Sequence, residues 1–459
     1  MKASVVQVPA TEKEIQLHHL KSDLFSTLDR AEALKDCFVS RPGRDFTRKS
    51  KISFQDVMRF VLSLDDRSLA DEMDNYFGPA ASSPSPEAML QRRHHVSSSL
   101  FRFIFDDFNA RRAPALWNGF ELLAGDGSDV VIPLDPDDVE TYQPLAEGSK
   151  GRCMLHMNVL RNLVDGTVEE AEIQPLHGAN ENHALFAMAE RLTKRAWQNP
   201  ASAPAIIVLD RGYESYNVIG HLLTAGANFV MRVKDVGTKG GILSRMDDVP
   251  EAAAEKFDVC LCRKVGVSTA RALRRDPQYR IAHHEFDFVD PKVPWNDPGA
   301  VYPLSFRVVR IPIGNGKYES LVTNLPAETF PAALLGALYH KRWSIESGFS
   351  AVKYGLKLPK FSSAIRDFIR QEIYAKLTLF NFGAILAYIT DIFHATDRYV
   401  YHLNFRRALK IGLLYLDEQV KAADIPALVN RKRLPVRPGR ASPRSKTWHS
   451  PVNFWYRAA

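Results

Sequence analysis

Cysteine is scarce, with 4 among 459 residues at Cys37, Cys153, Cys260 and Cys262. That density excludes a disulfide-stapled scaffold, and the spacing forms no double Cys pair of the kind that holds structural zinc. Cys260-Leu261-Cys262 alternates as a strand does, and two structural thiols in a reducing compartment are expected there. No His-Glu-x-x-His zinc motif is present, and Gly316-Lys317 lacks both the glycine that a phosphate-binding loop needs at Ile311 and the following Ser or Thr. No local serine or histidine nucleophile signature stands out. The N-terminus has no basic-then-apolar leader pattern. The most apolar helix candidate, Leu377 to Ile389, is interrupted by Asn381 and flanked by Lys376 and Asp391. It is shorter than the roughly 20 residues needed to cross a bilayer. It therefore reads as a buried core helix in a soluble, cytoplasmic protein with no membrane partner.

What is present is a long chain of ordinary hydrophobic content, 45%, with a modest basic excess of +7. The length predicts two to four domains, and the charge permits a polyanionic partner without requiring one. The stretch around which the rest is organised is Tyr339 to Lys353, YHKRWSIESGFSAVK, read as helix between Pro331 upstream and Gly355 and Pro359 beyond. With Tyr339 at zero and roughly 100° per residue, Arg342 falls near 300°, Glu346 near 340° and Lys353 near 320°. A phenol, a guanidinium, a carboxylate and an ammonium thus share one face, beside an apolar stripe of Leu334, Leu338, Ile345, Phe349, Val352 and Leu356. A solvated charged face is the ordinary reading of such a helix. Arg342 preceding Glu346 is the weaker order for a helix ion pair, however, so helix stability is a poor reason for the pattern.

Tyr339, Arg342, Glu346 and Lys353 at this spacing, with Trp343 and Ile345 in their setting, resemble the Tyr–Arg–Glu–Lys signature of DDE transposases of the insertion-sequence-four family. That family needs two upstream aspartates. Asp126-Gly127-Ser128 and Asp210-Arg211-Gly212-Tyr213 look like its two aspartate contexts, and each Asp is placed at the end of a strand. Gly127-Ser128 is read as a turn after the strand Phe120 to Asp126, and a second strand follows from Asp129 to Leu134. Asp129 competes for the first position, and Asp126 is preferred because it ends the more hydrophobic strand. Taken alone, Asp210 would be a turn former or helix cap.

The remaining pattern supports a mixed architecture. Residues up to about Asn109 read as helices, with Phe54, Val57, Met58, Val61 and Leu62 at helical spacing and a turn-rich loop from Gly78 to Pro86. Gln91-Arg-Arg-His-His95 places a basic cluster on one of them, either a solvated face or a DNA-backbone contact. Asp165-Gly166, between Arg152 to Leu163 and Thr167 to Leu176, is a hairpin signal. Asn182 to Trp197 is helical, and Ala205 to Leu209 is a continuous apolar run typical of a strand buried on both faces. A helix from Glu214 to Ala225 and a strand from Phe229 to Val233 follow. Antiparallel strands followed by alternating strand and helix describe an α/β (α+β) ribonuclease H-like core. Strand-like pieces Phe257 to Val267, Tyr279 to Val289, Leu304 to Ile313 and Tyr318 to Thr323 predict a β-rich insertion. Helices are expected over Ser363 to Thr390 and Tyr399 to Val420, and an extended basic tail from Arg431. The domain reading is 1–110 helical and DNA-binding, 115–235 first part of the core, 236–325 insertion, 326–396 last part of the core, and 397–459 C-terminal helices and tail.

The resemblance implies a DNA transposase that cuts at transposon ends and transfers the 3′-hydroxyl into target DNA. Asp126, Asp210 and Glu346 would hold two Mg²⁺ ions, with Mn²⁺ able to substitute, because hard cations take carboxylate oxygens. Tyr339, Arg342, Lys353 and Trp343 would contact the DNA strand. Trp295, on the loop Val-Pro-Trp-Asn-Asp-Pro-Gly, would stack on a flipped base or pack against the insertion. A homodimer on paired ends, associated with the nucleoid, completes the expectation.

Overall fold

The computed structural model describes residues 10–65, 67–145, 150–199, 202–282, 285–344, 361–391, 394–395 and 400–435. Five helices lead the chain: α1 (Ala10–Ala33), α2 (Phe54–Ser63), α3 (Leu69–Phe77), α4 (Pro86–Arg93) and α5 (Ser99–Ala110). Ser53 and Asp56 close a reciprocal capping box on α2, satisfying two amides that a helix start leaves unpaired. The residues at helical spacing on α2, Phe54, Val57, Met58, Val61 and Leu62, are all buried.

The centre is a sheet of strands β1 (Glu121–Ile132), β2 (Tyr142–Gln143), β3 (Arg152–Asn162), β4 (Val168–Pro175), β5 (Ala205–Leu209), β6 (Asn228–Val233), β7 (Phe257–Gly266), β8 (Tyr279–Ile281), β9 (Tyr302–Gly314) and β10 (Lys317–Thr323). Their order is β2-β3-β1-β5-β6-β10-β9-β7-β8, with β4 also on β3. β1 runs parallel to β5, and β5 to β6, while β3 pairs antiparallel with β1 and β4 antiparallel with β3. The strands read as an insertion therefore do not stand apart from this sheet. They continue it through the antiparallel pairing of β10 with β6.

Helices cover both faces. α6 (Glu181–Gln198) and α7 (Tyr216–Thr224) pack on Leu123, Ile207, Leu209, Phe229 and Met231. The short α8 (Arg271–Arg274) precedes β8, and α9 (Ala332–His340) packs on the alternate residues Leu122, Ala124, Ile206, Val208, Val230 and Leu321. This two-residue alternation is the strand period dividing one sheet between two cores. α10 (Arg366–Thr390) is the buried helix expected from its sequence, and it shares an interior with α2, α5 and the β3–β4 hairpin. α11 (Phe405–Leu416) and α12 (Ile425–Asn430) close the described chain.

Several expectations need correction. Gly127-Ser128 is not a turn, because β1 is one continuous strand through both residues. The helix after Asp210 begins later: a 3₁₀ turn, Arg211–Tyr213, comes first, and Ser215 caps α7. The strand expected over Tyr279 to Val289 shrinks to β8, because Phe286 and Val289 turn into the core with α7 instead of pairing. The helix expected over Tyr399 to Val420 starts at Phe405 and ends at Leu416, after a short strand Val400–His402. Cys260 and Cys262 alternate as read, yet both lie exposed on β7.

Two arginines of the basic cluster on α4 are engaged in contacts within the protein. Arg93 is wholly buried and pairs with Glu372 of α10 at 3.3 Å, and its guanidinium lies 4.3 Å from the Phe368 ring. Arg92 donates to the Ile52 carbonyl at 2.9 and 3.1 Å and stacks 4.1 Å from Phe46. These two arginines join the N-terminal helices to each other and to α10.

Candidate active site

The last parallel pairing of β1 with β5 is Ala124 to Val208. Two more residues along each strand bring Asp126 and Asp210 to the same end of the sheet. Both belong to the alternation that faces α9, since Leu122 and Ala124, and Ile206 and Val208, line that core. Each carboxylate has one oxygen tied to local backbone. Asp126 Oδ1 accepts from the Gly127 N–H at 3.0 Å, and Asp210 Oδ1 from the Gly212 N–H at 2.8 Å. Asp210 thus does cap, but it caps the 3₁₀ turn and not a helix.

Burial pushes the Asp126 carboxyl above its usual range, the negative charges of Asp210 and Glu181 add to this, and Arg342 opposes it. The Tyr213 hydroxyl is raised chiefly by burial and then by Glu181, Asp126 and Asp210. The charges of Asp210 and Arg342 thus both act on Asp126.

The signature helix is only partly as expected. α9 ends at His340 and tightens into a 3₁₀ turn, Lys341–Ser344. Across that junction Arg342 Nε donates to the Tyr339 hydroxyl at 3.2 Å, with the guanidinium 5.6 Å from its ring. Tyr339 is fully buried, and burial raises its phenol pKa while Arg342 lowers it. Glu346 and Lys353 lie outside the described residues, as does the Trp343 side chain. Trp295 is 49% exposed on its loop.

Three residues that the sequence reading missed border the site. The pairing of Leu209 with Met231 places Arg232 beside Asp210, and Arg232 Nε lies 3.4 Å from the buried Glu319. Behind β1, the His156 ring lies between Asp129 Oδ1 at 2.8 Å and Glu181 Oε1 at 3.2 Å. Those two carboxylates raise the imidazole pKa to about 9. No local sequence signal marks them, because each partner comes from a different strand or helix.

In charge and donor type Asp126 and Asp210 fit a hard divalent cation, since a cation there would offset the burial of Asp126 and the Asp210 repulsion that adds to it. Among the described residues no group of three His, Cys, Asp or Glu side chains is placed to hold a metal ion.

Fold and geometry define a mixed α/β protein with an acidic pair at adjacent ends of parallel strands, where the charge of Arg342, in the turn after α9, acts on Asp126. The chain belongs to the transposase DDE domain family, whose profile matches residues 126–382, more than half of its length and beginning at Asp126 itself. No curated protein matches it. Among solved structures it is similar to a piggyBac transposase synaptic complex with hairpin DNA, at 10% identity and TM-score 0.37, over 78% of this chain and 69% of that one.

Proposed function

We propose that the protein is a cut-and-paste DNA transposase of the insertion-sequence-four type. It cleaves DNA at the ends of its element and joins the freed 3′-hydroxyl to target DNA, as a homodimer on paired ends at the nucleoid. The observation that carries this reading is the strand register that brings Asp126 and Asp210 to the same end of adjacent parallel strands, with the charge of Arg342 acting on Asp126. Three antiparallel strands followed by two parallel ones, β4-β3-β1-β5-β6, support a ribonuclease H-like core for that site.

Asp126 and Asp210, with Glu346 as the third ligand, would hold two Mg²⁺ ions, or Mn²⁺ in their place. Such ions supply an activated oxygen nucleophile and charge stabilisation at phosphorus. The chain's own groups do the rest. Arg342 is a fork of donors suited to a phosphate, and its Nε is held by Tyr339, so its terminal amino groups are the ones presented to the strand. Tyr339 is then a positioning group, while Lys353 adds a point charge and Trp343 a base or sugar contact. The Arg232 guanidinium, restrained by Glu319, adds positive charge on the Asp210 side.

The experiment is incubation of the purified protein with Mg²⁺ and DNA bearing the inverted repeats that flank its gene. Wild type should cut and join. Asp126→Ala, Asp210→Ala and Glu346→Gln should each abolish cutting while retaining DNA binding. Cleavage retained by any one of them removes that residue from the site. Binding with no cutting by wild type, or cutting with no joined product, overturns the transposition reading.

A further inference from the structure

Gly127 follows Asp126 in the middle of a strand, where glycine weakens pairing and needs a reason. A Cβ at this position would lie 2.7 Å from His156 Nε2, 2.8 Å from Glu181 Oε1 and 2.9 Å from Asn158 Oδ1. Three polar side-chain atoms thus converge on the backbone next to Asp126, and only glycine lets them approach. The register explains the meeting. Gly127 is opposite Asn158 and Asp129 is opposite His156 on β3, while Glu181 is the first residue of α6.

The contacts form a clamp across three elements. His156 Nδ1 bonds Asp129 of β1, and Nε2 makes an ion pair with Glu181 that lacks hydrogen-bond alignment. Gln174 of β4 completes the surround, accepting from Asn158 Nδ2 at 3.3 Å and from the Asn180 N–H at 3.2 Å. A carboxylate at each ring nitrogen is matched by a doubly protonated imidazole, which has two donors and no acceptor. The clamp sits where β1 most needs it. The pairing with β5 ends at Ala124, so beyond it the strand carrying Asp126 is paired on the β3 side alone.

We propose that His156 and Glu181 are positioning residues, an ion-paired clamp over Gly127 that fixes the strand carrying Asp126 for cation binding. This rests on the metal-site reading above. Groups that orient a ligating carboxylate typically cost about 10–100-fold in metal affinity when removed.

The test is Mn²⁺ binding to the full-length protein, followed by calorimetry and by the spin resonance of free Mn²⁺. His156→Asn and Glu181→Gln should each weaken Mn²⁺ binding about tenfold, with wild-type circular dichroism. His156→Lys, which keeps a cation between the two carboxylates, should recover part of the loss. Glu181 is half exposed at 49%, so its variant tolerates the change even if His156→Asn fails to fold. Wild-type Mn²⁺ affinity in folded Glu181→Gln overturns the clamp. Mn²⁺ binding that survives Asp126→Ala and Asp210→Ala together overturns the metal site instead.

Discussion

The buried Arg93–Glu372 pair gives the sharpest stability prediction. Both side chains are fully shielded from solvent. Arg93 also donates to Ser362 Oγ at 2.8 Å and Gln371 Oε1 at 3.2 Å, so replacing it with Met leaves a carboxylate in the interior and breaks a network. Removing one member of a buried pair costs about 3–5 kcal/mol, because the survivor keeps its desolvation penalty and loses its counter-charge. Glu372 still accepts from the Ser362 amide at 3.2 Å, which argues for the lower end, about 3 kcal/mol. The double replacement Arg93→Met with Glu372→Met removes both charges and should recover most of that loss, since hydrophobic substitutes for a buried pair are often neutral. Urea titration followed by far-ultraviolet circular dichroism, on wild type, both single variants and the double, measures this. A single variant within about 1 kcal/mol of wild type would refute the reasoning, since surface pairs are worth that little. A double variant worse than either single one would do the same.

Three further outcomes are expected. The His156 pKa is raised from 6.5 to about 9, so its ion pairs stabilise the fold fully below pH 6.5 and that contribution is lost as pH rises through 9. The shift alone corresponds to about 3 kcal/mol, but Asp129 and Glu181 are half in solvent, so about 1 kcal/mol should be seen. Melting temperature against pH should fall between those limits in wild type and stay flatter in His156→Asn. Gly266→Ala puts a Cβ 2.5 Å from the Ala300 carbonyl oxygen, and backbone cannot give way as a side chain does. It should destabilise the β7–β8 end by about 1–3 kcal/mol, read as faster amide exchange there. Tyr339→Phe removes the acceptor for Arg342 Nε and should weaken DNA binding severalfold without changing Mn²⁺ affinity, with gel shift and calorimetry as the paired assays.

The elements legible in the sequence were those whose cause is local. The apolar run Ala205–Leu209 became a strand with the expected bounds, and Asp165-Gly166 turns the β3–β4 hairpin with Gly166 at φ 82°. Gly127 misled because a glycine after an aspartate ordinarily signals a turn, whereas here it makes room for side chains from β3 and α6. Arg93 misled for the same reason on a larger scale. Its countercharge lies 279 positions away, and nothing near it in the chain shows that it is interior. Phe286 and Val289 carry a strand's pattern but satisfy it by packing on α7. Of the site, Asp126, Asp210, Tyr339 and Arg342 were readable as motifs. Arg232, His156 and Glu181 were not, since only the sheet register brings them near.

α10 has a consequence for how the protein is made. Helices α2 and α5 leave the ribosome with Phe54, Phe60, Phe101 and Phe105 destined for an interior that Ile369, Ile373 and Leu377 complete, and Arg93 waits 278 residues for Gln371. Until Arg366–Thr390 has been translated, the nascent chain carries an unsealed, sticky front end. A message broken before that point therefore yields a remnant fit for proteolysis, not a smaller working protein.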